Sequence, residues 1–162
     1  MDISGFDDWY AEAYPRLVAQ LTALTGDRTQ AQDVVQEAFI RASERRVDLP
    51  TRGERDAWIR TTAYRLSVSA WRRLRRGREL ASSVAMTAEP GLSEDRADLF
   101  AALQRLPREQ RQALVLHYFA DRTVAQIADE IGAPEGTVKA RLHRGRAALA
   151  AILTDETLGS PQ

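Results

Sequence analysis

Cysteine is absent from the 162 residues, which excludes a disulfide framework, a thiolate metal site and a cysteine nucleophile, and fits a reducing compartment. Histidine is nearly absent, with only His117 and His143. No glycine-rich phosphate loop occurs and no acid–base pair stands out, so no enzyme chemistry, metal centre or cofactor is expected. No apolar run approaches the roughly 18 to 20 residues that span a bilayer. The start of the chain, with Asp2, Asp7 and Asp8, is acidic where a signal peptide is basic. The expectation is a cytoplasmic protein with no membrane partner. Net charge is missing too, since 23 basic residues balance 23 acidic ones.

That balance hides an asymmetry. Residues 1–50 carry five basic and nine acidic side chains, whereas 51–78 carry nine basic and two acidic. Residues 79–134 return to five against nine, and 135–153 carry four against one. Two basic segments on a neutral carrier point to two polyanion-facing surfaces, although a solvated helix face explains either segment taken singly.

Apolar residues recur three or four apart almost throughout, and nowhere do they alternate long enough for a strand. The expected fold is all-α, with two small helical domains joined by a flexible linker over about 77–93. A first helix carries Phe6, Trp9, Tyr10, Tyr14, Leu17, Val18, Leu21 and Leu24 and stops at Gly26-Asp27. A second, over 29–46, places Ala31, Val34, Val35, Ala38, Phe39 and Ala42 on one stripe. A third, over 54–76, buries Trp58, Ile59, Thr62, Ala63, Leu66, Ala70 and Leu74 and becomes strongly basic toward its end. In the second domain a short helix carries Leu99, Leu103 and Leu106, and Pro107 suits the first turn of a helix over 108–119. There His117 reads as a satisfied structural histidine. Thr123 caps a helix with Val124, Ile127, Ala128 and Ile131 on its apolar side. After Gly132-Ala133-Pro134, a last helix over 135–152 buries Val138, Leu142, Gly145 and Leu149, and a polar tail follows.

Helix, three-residue turn, helix over 124–146 is the spacing of a helix-turn-helix, whose second helix enters the DNA major groove. At 100° per residue, Gly136, Thr137, Lys139, Ala140, His143 and Arg144 lie opposite the buried stripe, with Arg141 and Arg146 flanking. Short and cationic side chains are what groove reading needs: Arg and Lys bond guanine edges or phosphates, and glycine permits close approach. The 54–76 helix sets Tyr64 and Trp71 among Arg60, Arg65, Arg72, Arg73, Arg75 and Arg76. Rings interleaved with guanidinium groups make a platform for unpaired bases, but periodicity does not decide whether Tyr64 and Trp71 are core. On the second helix, Asp33, Gln36, Glu37, Ile40 and Glu44 share one edge, suited either to a basic partner helix or simply to solvent.

The stretch Ala31-Gln32-Asp33-Val34-Val35-Gln36-Glu37-Ala38-Phe39-Ile40-Arg41-Ala42 closely resembles the second conserved segment of the group 4, or extracytoplasmic-function (ECF), sigma factors of bacterial RNA polymerase, in the sigma-70 family. Leu106-Pro107-Arg108-Glu109-Gln110-Arg111 and Gly136-Thr137-Val138-Lys139-Ala140-Arg141-Leu142-His143-Arg144-Gly145-Arg146 resemble their fourth region, in the same order. The resemblance implies a region 2 domain at 6–78 and a region 4 domain at 95–153, with the linker at 79–94 between them. Such a protein binds core RNA polymerase and directs it to promoters. By analogy Asp33, Gln36, Glu37 and Ile40 meet the clamp helices of the β′ subunit. Tyr64, Arg65, Trp71, Arg72 and Arg73 recognise and help melt the minus-10 element, and Thr137, Lys139, Arg141 and Arg144 read or clamp the minus-35 element. Region 4 also touches the β flap, and such factors commonly have an anti-sigma partner. The chain departs from the pattern at Arg65 and Ser69, where many members carry Asn and Asp, and at Ala140, where Ser is frequent. The alternative reading is a stand-alone helix-turn-helix transcriptional repressor that works without polymerase.

Overall fold

The computed structural model describes residues 1–77 and 94–159. Among these are seven helices and no strand: α1 (Ile3–Thr25), α2 (Arg28–Glu44), α3 (Arg52–Gly77), α4 (Glu94–Gln104), α5 (Arg108–Tyr118), α6 (Val124–Ile131) and α7 (Glu135–Gly159). The chain divides into two compact units, Met1–Ala85 and Met86–Gln162. Of the expected linker 79–94, only Glu94, the first residue of α4, lies within the described residues.

Helix boundaries follow local chemistry. Asp2 caps α1 by accepting from the Gly5 amide at 2.7 Å, and Asp27 caps α2 by accepting from the Gln30 amide at 3.0 Å. Between them Gly26 ends α1 with φ 78°, a left-handed residue where a Cβ is strained. Thr51 and Glu54 exchange side-chain and backbone bonds at the start of α3, a capping box. Thr123 and Gln126 repeat the device on α6.

In the first unit α1, α2 and α3 pack against one another. Leu17 and Leu21 from α1, Val35 and Phe39 from α2, and Ile59 and Ala63 from α3 are fully buried. Phe39 is the hub of an aromatic cluster with Phe6, Trp9 and Tyr10, all edge-on to its ring. In the second unit Leu103, Leu116, Ile127 and Val138 form the centre of the core. Gly145 is buried where α7 crosses α5: a Cβ there would sit 3.1 Å from a Leu114 methyl and 3.4 Å from Gln110 Cβ, so the close approach of these helices depends on its missing side chain.

Pro107 is the N-cap of α5, which begins at Arg108 as expected: its ψ of 144° is extended, and its carbonyl accepts from the Arg111 amide at 3.0 Å. Two expectations need correction. The expected polar tail after 153 is partly helix, because α7 continues to Gly159; Thr154 turns its hydroxyl back to the Ala150 carbonyl, and neither proline nor glycine interrupts the turn before 159. Leu74, placed on the buried stripe of α3, is 57% exposed. At 26 residues α3 outruns the 17 of α2, a difference of roughly 13 Å at about 1.5 Å per residue, and the stripe continues past what α2 covers.

Candidate partner and nucleic-acid interfaces

The inward stripe of α2 is Ala31, Val34, Val35, Ala38, Phe39 and Ala42, all buried. The opposite side therefore faces solvent, and Asp33, Gln36, Glu37, Ile40 and Glu44 are all exposed there. Ile40 stands out as an aliphatic side chain 46% exposed amid acidic neighbours. Glu37 is steadied by Arg41 Nε at 3.1 Å, one turn on. The edge extends onto α1 in a way the periodicity did not reveal. Tyr10 and Tyr14 read as core from their spacing but are only half-buried, with ring centroids 5.2 Å apart. Burial, Tyr10 and the Asp33 carboxylate push the Tyr14 phenol above its ordinary range, against an opposing pull from Arg28.

Helix α3 has two chemically different halves. In the first, Asp56 and Arg60 are buried, 6% and 4% exposed. Asp56 accepts from Trp9 Nε1 at 2.9 Å and pairs with Arg16, while Arg60 donates to Gln20 Oε1 at 3.2 Å. Burial alone would lower the Arg16 pKa, but bonds and charge from Glu12 and Asp56 raise it above the usual arginine value. Arg60 therefore belongs to the interior, and its place on the aromatic–arginine platform is corrected. A charge on a helix at ordinary spacing gave no sign of the glutamine waiting for it on α1.

The second half carries the remaining residues of that constellation. Every residue from Trp71 to Arg76 is exposed, as is Arg65, whereas Tyr64 is half-buried. The choice that periodicity left open is thus divided: Trp71 presents its ring to solvent, 54% exposed, and Tyr64 lies partly in the packed body. The Arg75 guanidinium carbon sits 5.0 Å from the Trp71 ring centroid, a cation–π contact that steadies the ring. Arg65, Arg72 and Arg73 recur at i, i+7 and i+8, and so lie on one side of the helix.

In the second unit α6 and α7 meet through a turn whose Gly132 takes φ 70°, with Ile127 and Val138 buried. Gly136, Lys139, His143 and Arg144 are exposed, and Thr137, Ala140 and Arg141 are half-buried. Of the outward arc drawn from the wheel, four residues are exposed while Thr137 and Ala140 are half-buried, and Arg141 stands at its flank. His143 sits on that arc as well, between Lys139 and Arg144. His117 Nδ1 lies 2.9 Å from the Arg122 carbonyl oxygen, to which it donates, a satisfied structural histidine. Among the described residues no group of acidic or histidine side chains could hold a metal ion, and no helix is long and apolar enough to cross a membrane.

Comparison with known proteins joins these surfaces. Residues 9–77 match the family model "Sigma-70 region 2", and residues 96–149 match "Sigma-70, region 4". The chain is 36% identical over 141 residues to the ECF RNA polymerase sigma factor SigL of Mycobacterium tuberculosis, covering 82% of this chain and 79% of that one. It is 34% identical over 146 residues to the ECF RNA polymerase sigma factor EcfG of Rhodopseudomonas palustris, covering 87% and 81%. Among solved structures it is similar to the sigma factor RpoE of Bartonella quintana, crystallised in complex with the anti-sigma factor NepR, with a TM-score of 0.78, 25% identity and coverage of 94% and 98%. With both of its units matched in order, the chain belongs to the sigma-70 family, among the ECF RNA polymerase sigma factors.

Proposed function

We propose that this protein joins core RNA polymerase as its promoter-specificity subunit, with a division of labour among the three surfaces. The edge of Asp33, Gln36, Glu37 and Ile40 docks on the β′ clamp helices. Its carboxylates match a basic partner, and Ile40 supplies the apolar contact that an interface centre needs. The observation that carries this reading is the match of region 2 and region 4, in order, in one chain.

Promoter contacts divide by chemistry. The α7 face of Thr137, Lys139, Arg141 and Arg144 enters the major groove at the minus-35 element, where donors bond base edges and phosphates. The α3 end works on the minus-10 element: Arg65, Arg72 and Arg73 neutralise the backbone, and Trp71 stacks on an unpaired base once the strands part. Tyr64 supports that platform from its half-buried position. Region 4 also contacts the β flap. No covalent chemistry, metal or cofactor is needed, since protein docking and two DNA contacts position the complex for strand separation. The place of work is the cytoplasm, and an anti-sigma factor covers these surfaces when initiation is held off, as NepR is complexed with RpoE in the related crystal structure. The domain limits proposed for these roles are 6–78 and 95–153.

A stand-alone repressor uses only 124–146 and leaves the acidic edge and the α3 platform without work; the region 2 match over 9–77 speaks against it. Run-off transcription with purified core polymerase and fragmented genomic DNA tests the proposal. The wild type is expected to yield specific transcripts that an Asp33→Ala, Glu37→Ala double variant loses. No transcripts, together with tight operator-like DNA binding by the free protein, would overturn it. In the holoenzyme, Arg144→Ala is expected to cost about 1 to 3 kcal/mol of minus-35 affinity if a base contact is lost, and unchanged affinity would remove Arg144 from the site.

A further inference from the structure

Four arginines among the described residues pair with carboxylates. Arg41 lies 3.1 Å from Glu37, Arg52 lies 2.6 Å from Glu12, Arg122 lies 3.6 Å from Glu130, and Arg16 pairs with both Glu12 and Asp56. Arg146 on α7 differs. Its Nη1 donates at 3.1 Å to the Tyr118 hydroxyl oxygen at the end of α5, a neutral partner that orients the guanidinium without cancelling its charge. Both side chains are exposed, Tyr118 unusually so for an aromatic residue at 54%.

The Tyr118 ring is held in its turn. His117 packs edge-on against it, centroids 4.8 Å apart, and His117 is tied to the Arg122 carbonyl oxygen. Having accepted from Arg146, the phenol oxygen still carries its own O–H to donate. On α7, Arg146 falls seven residues after Lys139, so the two cations share one edge of the helix, beside the exposed arc. An oriented, uncompensated guanidinium next to a free O–H donor, flanking a groove-reading face, is matched by an anionic oxygen of the duplex backbone.

We infer that Tyr118 and Arg146 form a phosphate clip that grips the DNA backbone beside the minus-35 element, fixing the register of α7 without reading sequence. This rests on the promoter reading above. Tyr118 pre-orients Arg146, so less side-chain freedom is lost on binding, and it adds a second donor to the same phosphate.

The test uses full-length protein assembled with core polymerase, titrated onto duplexes carrying the preferred minus-35 element and onto point variants of it, across a range of salt. Arg146→Ala is expected to weaken binding about tenfold and Tyr118→Phe about threefold, by the same factor on every duplex. Loss of one phosphate contact in Arg146→Ala should also shallow the slope of log K against log salt by about 0.9. The double variant should lose less than the product of the two single effects, since each residue acts through the other. A wild type that discriminates among duplexes beside variants that bind like it would overturn the clip alone. Loss confined to one duplex would overturn it too, by marking a base contact. A wild-type holoenzyme indifferent to minus-35 sequence would overturn the promoter reading and the clip with it.

Discussion

The two halves of α3 use the same residue types to opposite ends. Near its start Asp56 and Arg60 are enclosed, each with a side-chain partner on α1; over its last turns, Arg72, Arg73, Arg75 and Arg76 stand in solvent with Trp71 among them. Charge in the first half serves folding: it satisfies a buried indole N–H, an ion pair and a buried amide. Charge in the second half satisfies nothing within the described first unit beyond the Arg75 contact with Trp71, and is available to a polyanion. What separates the halves is whether α1 and α2 are long enough to cover the helix at that point.

Stability should respond in step with this division. Asp56→Ala strips the partner from Trp9 Nε1 and leaves Arg16 without its more buried carboxylate, 8% exposed. Arg16 is partly exposed and can turn to water, so the main loss is the buried indole N–H left without an acceptor, about 2 kcal/mol, readable as a lowered midpoint in urea unfolding of the first unit's transition. An Asp56 variant as stable as wild type would erase the distinction between the halves.

A smaller loss is expected where α3 begins. Thr51→Ala removes the acceptor for the Glu54 amide, 3.2 Å from the hydroxyl, and should cost about 1 kcal/mol. Glu54→Gln should cost less, because an amide oxygen can still accept from the Thr51 N–H. If both variants match wild type, the cap contributes nothing and α3 is held by tertiary packing alone.

Much of this was legible beforehand, for identifiable reasons. The inward stripes of α1 and α2 follow a 3.6-residue period that burial enforces, so Leu17, Val35 and Phe39 fell where the wheel put them. Gly26 and Gly132 announce left-handed stops, and Thr123 announces a cap. The exposed edge of α2 and the outward arc of α7 were legible as complements of their stripes. Arg60 was not, since a helical wheel knows nothing of Gln20 on another helix. Nor was the exposure of Leu74, because periodicity marks which side of a helix is apolar but not where its neighbour ends. Tyr118 escaped for a similar reason: its bond to Arg146 spans 28 residues of sequence.

The smallest stability effect, and the sharpest use of the comparison, belongs to the far end of α3. Replacing Arg72 and Arg73 together by alanine should change unfolding free energy by no more than about 0.5 kcal/mol. Two effects oppose each other there. Relief of repulsion among clustered guanidinium groups favours the variant, as does alanine's helix propensity, while cations near a helix C-terminus are stabilised by the helix dipole and would be lost. The same substitution should sharply reduce open-complex formation on a promoter, measured by permanganate reactivity of unpaired thymines around the minus-10 site, while core-polymerase binding stays at the wild-type level. Arg60→Ala should reverse the pattern, unfolding the first unit before it alters any DNA contact in the protein that remains folded. If instead the Arg72, Arg73 variant proves as destabilised as Asp56→Ala, the end of α3 is part of the packed body and its cations are not free to meet DNA.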